Sequence, residues 1–505
     1  MFRAVNLDMI LEAMMLKGKS LKLLAISVLV LAVFVFSGCG DENSTVTPAP
    51  NRPYSPVPAS GATDVRPDAT LSWCYDLPGE DVTVTYDISY GTGNDLILAG
   101  TGVTDTVFTP PLAWEDNSTY RWQVTVKLSD GTQVEGPIWN FSTIYGGTWA
   151  NSYALASYTN LQLYRGIELS GGDLIVAGSC DPSSFYGTEV LLRIDEDGEL
   201  VWSLDDDLMS SVSDLVLADN DHFLAVGPGN TRGAVTYFDD DGTEIWSRTY
   251  GENTSRFDAA VVPSSGYLFG GTYYNSAAGN SDAWLVRTDG NGIKTLDFKF
   301  DIAGEDTLMD LIETDDGGFA FCGVGSEGSF ITRVNEVCSE LWTVELSTGN
   351  IQYAISIVQD SDSTISVLQM ESSSGTAPFT AYQKSYRLSD GVFVGGYSFT
   401  GPALQRGGQI IADDDGGITA LFTSLASYDG GSGNTPTMRI ERIAPFGIRL
   451  WVTEYNAYDP TWGYGLLQLE DGNYVGIGSS QSGELDNNRY AFVVRTTYNG
   501  ELHAE

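Results

Sequence analysis

The side chains best suited to covalent or metal chemistry are few in this chain and lie far apart. His222 and His503 are its two histidines. A nucleophilic triad needs a histidine base, or a substitute, held against a serine or cysteine. His222 falls in the polar turn DNDHF and His503 is third from the end, so neither is poised for that work. No Gly-x-Ser-x-Gly elbow on a strand-to-helix turn is present. Beyond Cys39, the cysteines at 74, 180, 322 and 338 form no C-x-x-C pair, which argues against a zinc site and a disulfide-dense scaffold. Cys322 in FAFCG takes the small slot that Ala177 fills in LIVAG, so packing is its expected role; a Cys322–Cys338 bridge within one sheet is the other reading. The acidic turns DEDG (195–198), DDDG (239–242), TDDGG (314–318) and DDDGG (413–417) offer oxygen ligands of the kind calcium takes. They lack the alternating Asp and twelfth-position Glu of an EF-hand. Hairpin turns that demand positive φ account for them better. Neither a metal nor a cofactor is expected. Paired carboxylates could still hydrolyse a glycoside, but among 67 acids no pair stands out, and no catalytic residue is assigned.

The elements that would position any site read as strands throughout. In TYRWQVTV (119–126), Tyr120, Trp122, Val124 and Val126 share one face and Arg121, Gln123 and Thr125 the other, the period of a half-buried strand. Similar runs at TLSW, YDISYGTG and GPIWNFST argue for a small β-sandwich over 54–144. From residue 145 the chain repeats a strand, a polar turn, a second strand ending in Gly, a variable loop and a hairpin ending near Trp. LIVAG leads to VLLRIDEDGELVW, FLAVG to AVTYFDDDGTEIW, and GYLFGG to DAWLVRTDGNGIKTL. The markers are Trp149, Trp202, Trp246, Leu296, Trp342, Tyr397, Trp451 and Ala504, at intervals of about 51 residues. Four strands in roughly 50 residues is the blade of a β-propeller, and stacked blades supply each other's core. The first segment, GTWANSYAL (147–155), is predicted to complete the last blade and lock the ring.

These repeats resemble bacterial DGG(Y/F)-type propeller repeats, carried best by TDDGGFAFCG (314–323) and LEDGNYVGIG (469–478), and more loosely quinoprotein-like ones. Quinoprotein dehydrogenases place adjacent cysteines at the cofactor, and this chain has none, so that activity is not implied. PVPASGATDV before TLSW, with the closing IWNFST, resembles the fibronectin type III-like modules of bacterial secreted proteins, which are usually spacers. In propellers, the loops after the second and fourth strands share the ligand face. Here those loops carry Tyr186, Tyr273, Tyr274, Tyr428, Tyr458, Trp462 and Tyr464, with Arg256 and Arg406 on the same side. Aromatics among Asn, Ser and Gly suit sugar rings or peptide segments. The competing reading is that each packs its own loop.

Upstream, Lys17, Lys19 and Lys22 precede the apolar run Leu23 to Phe36. Its fourteen residues would rise about 21 Å as a helix, short of a bilayer core, so a signal peptide is the better reading than an anchor. A start at Met15 would give a signal of ordinary length. Ser37, Gly38 and Cys39 resemble a bacterial lipobox, which implies cleavage before Cys39 and a diacylglycerol on its sulfur. Asp41 and Glu42 resemble the surface-export signals of some Gram-negative lipoproteins. The formal net charge of −42 excludes a nucleic-acid binder, which needs clustered Lys and Arg.

The expected chain is all-β: a signal peptide over 1–38, lipidated cysteine and tether over 39–53, a sandwich stalk over 54–144, and a seven-bladed propeller over 145–505. Its expected address is the bacterial cell envelope, as an outer-membrane lipoprotein, with surface exposure open. Its expected role is monomeric, non-enzymatic binding of a glycan or protein ligand. An envelope assembly scaffold and a polysaccharide-active enzyme are the alternatives.

Overall fold

The computed structural model describes residues 52–502, except 66–68, 78–82, 94, 112–113, 115–117, 144–146, 156–157, 159, 181–186, 207, 303, 327, 347–350, 362, 374–378, 414, 428–433, 446, 457–459 and 482–487. The expected signal peptide, Cys39 and the tether to residue 51 lie outside these. Regular structure among the described residues is β-strand, apart from one 3-10 turn at Asp219–Asp221. The chain divides into two compact units, Met1–Tyr145 and Gly146–Glu505.

In the first unit, a three-stranded and a five-stranded sheet share an aromatic core. Trp73 on Leu71–Cys74 meets Tyr86 on Val84–Gly91 and Trp122 on Thr119–Leu128 edge-on, with ring centroids 5.2 and 6.3 Å apart. The inward set of TYRWQVTV is buried as the alternation predicts. The four described cysteines are buried and none is in a disulfide, so the Cys322–Cys338 bridge does not form. Cys322 and Ala177 are both fully buried in equivalent strands, as their shared slot predicts.

The second unit is built from antiparallel meanders. Four-stranded sheets cover 162–206, 214–250, 256–300 and 307–346. The segment 351–455 forms one seven-stranded sheet, because Phe393–Ala412 runs on for 20 residues, first as the outer strand of one meander and then as the opening strand of the next. The repeat spacing predicts two strands there. The register slips between Leu404 and Gly408, and Gly407 and Gly408 take positive φ, so the chain bends without a loop. In the last sheet, Trp149–Tyr153 pairs antiparallel with Arg489–Thr496, from Arg495 opposite Trp149 to Ala491 opposite Tyr153. The strand predicted to complete the last repeat does so.

The opening strands touch in a cycle. Gln162–Glu168, Asp214–Leu217, Arg256–Val261, Thr307–Glu313, Ile351–Ser361, Phe393–Ala412 and Thr461–Gln468 each contact the next, and the last contacts the first. At the outer strands, one contact recurs around the cycle. The marker aromatic of one repeat lies against the turn glycine of the next, where a Cβ would sit. A Cβ on Gly198 would fall 2.7 Å from the Trp149 indole, on Gly242 3.0 Å from Trp202, on Gly292 2.9 Å from Trp246, on Gly391 2.8 Å from Trp342, and on Gly500 2.6 Å from Trp451. Those glycines also have φ between 70° and 83°, the left-handed region that side chains disfavour. The step from Leu296 is the exception: the next turn has Cys338 at positive φ instead of glycine, and the marker there is aliphatic rather than aromatic.

Gly242→Ala should therefore destabilise the protein by about 2 kcal/mol or more, through backbone strain and displacement of the indole. Gly171→Ala, at a glycine with nothing within 4 Å and no positive φ, should change stability little. Chemical denaturation of the two variants beside the parent checks this.

Candidate functional site

Most of the chemistry-bearing residues are engaged in holding the repeats. In the turn before the outer strand, Asp195 Oδ1 accepts from the Asp197 and Glu199 amides at 3.2 and 2.8 Å; Asp239, Asp289 and Asn335 do the same for their own turns. The acids of the earlier turn pair with an arginine on the third strand of the same repeat: Asp173 with Arg193 at 2.7 Å, Asp413 with Arg442 at 3.1 Å, Asp471 with Arg495 at 2.8 Å, and Asp316 with Arg333. Hairpin chemistry thus accounts for these acids, and the aspartates of the DGG(Y/F) motif serve as ion-pair partners. His222 Nδ1 lies 3.1 Å from the Tyr237 hydroxyl; His503 lies outside the described residues.

The acids on the opening strands carry a second set of ties. Asp214 Oδ2 accepts the Ala260 amide at 2.9 Å, and its Oδ1 lies 3.5 Å from Arg165 Nε. Asp310 Oδ2 accepts from the Ile357 amide and the Ser356 hydroxyl, both at 2.9 Å. Ser356 Oγ in turn accepts the Ile410 amide at 3.2 Å, and Gln409 Oε1 accepts the Leu466 amide at 2.9 Å. Each tie crosses from one opening strand to the next. Burial pushes the Asp214 carboxyl up to about 7, with Arg165 pulling the other way. Burial likewise raises Asp258, which Arg256 Nε contacts at 3.1 Å, and Asp310.

A candidate place for a ligand lies elsewhere, where the first and last sheets meet. A cavity of about 450 Å³ is lined by Asn160, Gln162, Ser179, Cys180, Gly187, Gln481 and Arg489. Two β-bulges shape the ground beside it. The register skips Tyr164 between Leu163 and Arg165, and Tyr464 between Gly463 and Gly465. A bulge re-aims its extra side chain. The two tyrosine rings meet edge-on at 5.4 Å. Such close approach needs Gly465, whose Cβ would fall 2.4 Å from the Tyr164 carbonyl oxygen. The Tyr164 hydroxyl lies 3.1 Å from Ser179 Oγ and donates to Gln162 Oε1 at 3.3 Å. Arg489 stacks its guanidinium over Trp462 at 4.1 Å, and its carbonyl accepts the Leu161 amide. Burial raises both tyrosine hydroxyls, against the pull of Arg489, so both phenols stay neutral near pH 7. The cleft therefore offers three carboxamides, hydroxyls and one cation beside aromatic faces.

The rim residues expected from sequence divide between places. Tyr464 packs against Tyr164 beside the cleft and is not among the residues that line it. Trp462 is buried at 8 % exposure, so it supports Arg489 rather than standing free at the rim. Arg256, Tyr273 and Tyr274 belong to a different repeat. There Tyr273 packs on Trp284 at 5.7 Å with Lys299 Nζ 4.3 Å over its ring, and the Tyr274 amide donates to Ser255 Oγ. Arg406 lies on Phe393–Ala412, with its side chain outside the described set. Tyr186, Tyr428 and Tyr458 lie outside the described residues. Sequence reasoning missed Tyr164 and Arg489. Tyr164 was findable, because LYRGI and GYGLL place a tyrosine at the same step of the repeat.

No family model matches the chain, and no curated protein matches it. Solved structures similar in fold include a quinonprotein alcohol dehydrogenase-like protein from Bacteroides thetaiotaomicron, at 12 % identity, TM-score 0.40, covering 78 % of this chain and 94 % of that one. The Dos1 propeller aligns at 11 % identity, TM-score 0.41, over 76 % and 90 % of the two chains. A protein of unknown function from Dyadobacter fermentans aligns at 9 % identity, TM-score 0.40, over 68 % and 98 %.

Asp214 has a definite pH signature. Its folded pKa near 7 stands above the unfolded value near 4, so its protonated form favours the fold. That contribution is complete below about pH 4 and is lost as pH rises through about 7. Asp214→Asn should flatten the decline in stability between those values, read by urea denaturation at a series of pH values.

Proposed function

We propose that residues 145–505 form a seven-bladed β-propeller whose seam cleft binds a glycan, and that residues 54–144 are a fibronectin type III-like stalk. The propeller reading is supported by the cyclic contact of seven opening strands, the recurrent aromatic-on-glycine contact, and the pairing of Trp149–Tyr153 with the last sheet. The glycan reading rests on one observation: Asn160, Gln162, Gln481 and Arg489 converge on a cavity beside Tyr164 and Tyr464. Carboxamides and guanidinium pair bidentately with vicinal hydroxyls or a sugar carboxylate, and the Tyr164 hydroxyl holds Ser179 at the cavity wall. The lipobox-like Ser37-Gly38-Cys39 supports a lipid anchor at Cys39 and an outer-membrane address. Hydrolysis of a polysaccharide is disfavoured, because the opening-strand acids Asp214 and Asp310 are engaged in ties between strands.

Screening the purified protein on an array of bacterial and plant polysaccharide fragments, followed by calorimetry, tests the reading. Arg489→Ala should weaken the best ligand by about tenfold or more, the worth of a hydrogen bond to a charged group. Binding that survives Arg489→Ala and Tyr464→Ala unchanged, or the absence of any bound glycan, would contradict it.

A further inference from the structure

The seam cleft differs from the rest of the second unit in the state of its cation. With 67 acids against 25 Lys and Arg, the arginines of this chain are met by carboxylates. Arg165, Arg193, Arg439, Arg442 and Arg495, with side chains 8–20 % exposed, each lie within 3.5 Å of one. Arg287 is half-buried without such a pair, and its guanidinium donates to the Glu336 carbonyl instead. Arg489 is also half-buried, yet no carboxylate among the described residues pairs with it. It lies over the Trp462 ring, 4.1 Å from the centroid, a seat that holds a cation without using its N–H groups. Its side-chain hydrogen bond goes to Tyr464, a neutral phenol that supplies no countercharge.

A second donor faces the same cavity. Asn160 bridges Arg489 in the strand pairing, and the Leu161 amide donates to the Arg489 carbonyl at 3.0 Å, so Gln162 follows one residue on. The Tyr164 hydroxyl donates to Gln162 Oε1 at 3.3 Å, which occupies the oxygen of that carboxamide. Its Nε2 has no acceptor among the described residues and is not shut off from solvent. Among the described residues, no acid lines the cavity. Glu189, opposite Ser179 in strand register, is fully buried, and its Oε2 accepts the Met209 amide at 3.1 Å.

These groups call for an anion. A sugar hydroxyl would satisfy an N–H donor but leave a half-buried cation uncompensated, which is costly. A carboxylate does both, because its two oxygens match the guanidinium fork. The chain as a whole repels anions, but at physiological salt charges farther than about 8 Å are largely screened, so the groups lining the cleft decide.

We infer that the glycan held at the seam is an acidic one, a uronate-type sugar whose carboxylate pairs with the Arg489 guanidinium while Gln162 Nε2 donates to a neighbouring ring oxygen. This rests on the glycan reading of the cleft and narrows it to one charge class.

The test compares uronates with their own methyl esters, which keep the shape and the acceptor oxygens and lose the charge. The probes are xylotriose bearing one glucuronate, a glucuronate–N-acetylglucosamine disaccharide and a galacturonate trimer, titrated into the intact protein by calorimetry at physiological salt. At least one acid should bind, with its ester weaker by about tenfold or more. In Arg489→Gln, the acid should fall to the level of the ester, while the ester keeps its parent affinity. Removal of a merely structural arginine would instead weaken both alike, which would overturn the inference. The acid-to-ester ratio is read on the parent protein, so it stands whether or not that variant folds. Equal binding of acid and ester, or a ratio that persists in Arg489→Gln, would overturn the inference and leave the glycan reading in place. So would neutral glycans bound on the array when no uronate binds, or a 6-sulfated galactose preferred to every uronate. Absence of any bound glycan, acidic or neutral, would remove both readings.

Discussion

The second unit depends on one constraint: a four-stranded meander is apolar on both faces and cannot bury either by itself. Phe257, Trp284 and Phe269 show the consequence, as rings from three strands of one sheet stacked into a core shared with the preceding sheet through Leu224 and Val226. Burying rings of that size contributes several kilocalories per mole at each interface. Such burial is non-directional and does not fix how far one sheet slides over another. The indole seated on a turn glycine does. It leaves room for no side chain on the glycine, and so sets the register at the five steps where it occurs. Tyr153, Tyr250 and Tyr455 reinforce that register, each donating its hydroxyl to the carbonyl of the turn glycine that follows.

That architecture absorbs the acids that first invite a catalytic or calcium reading. Turn aspartates cap turn amides, first-turn aspartates neutralise third-strand arginines, and opening-strand aspartates hold the amides of the neighbouring strand. The sites left over are places where the repeat departs from its own pattern. At the seam, the first and last opening strands both bulge at a tyrosine and open a polar cleft. Between the fifth and sixth repeats, Tyr397 with Gly395 and Gly396 leaves a gap where five other steps seat an indole on the turn glycine. Function in a repeat of this kind is sought where its symmetry breaks.

Strand order and the closing segment were legible because they rest on periodicities of two and of about 51 residues, and because Trp149 carries the marker before any complete repeat has begun. Cys322 was legible for the same reason, from its alignment with Ala177. The merging of two repeats through Phe393–Ala412 was not, since Gly407 and Gly408 read as a turn by composition and act as a bend within a strand. Loop aromatics misled: Trp462 reads as a rim residue beside Pro460 and Gly463, yet it begins a strand and is buried beneath Arg489. Arg489 itself lies far along the chain from Gln162, and a cleft between the first and last sheets has no local signature in either.

The account turns on that closure, and amide hydrogen exchange of the intact protein tests it most directly. The amides of 149–153 should exchange as slowly as those of their partner strand, 489–496, both opening only with global unfolding. Exchange of 149–153 within seconds, while 489–496 stays protected, would mean that the first strand does not lock the last sheet, and would remove the basis for a cleft at the seam.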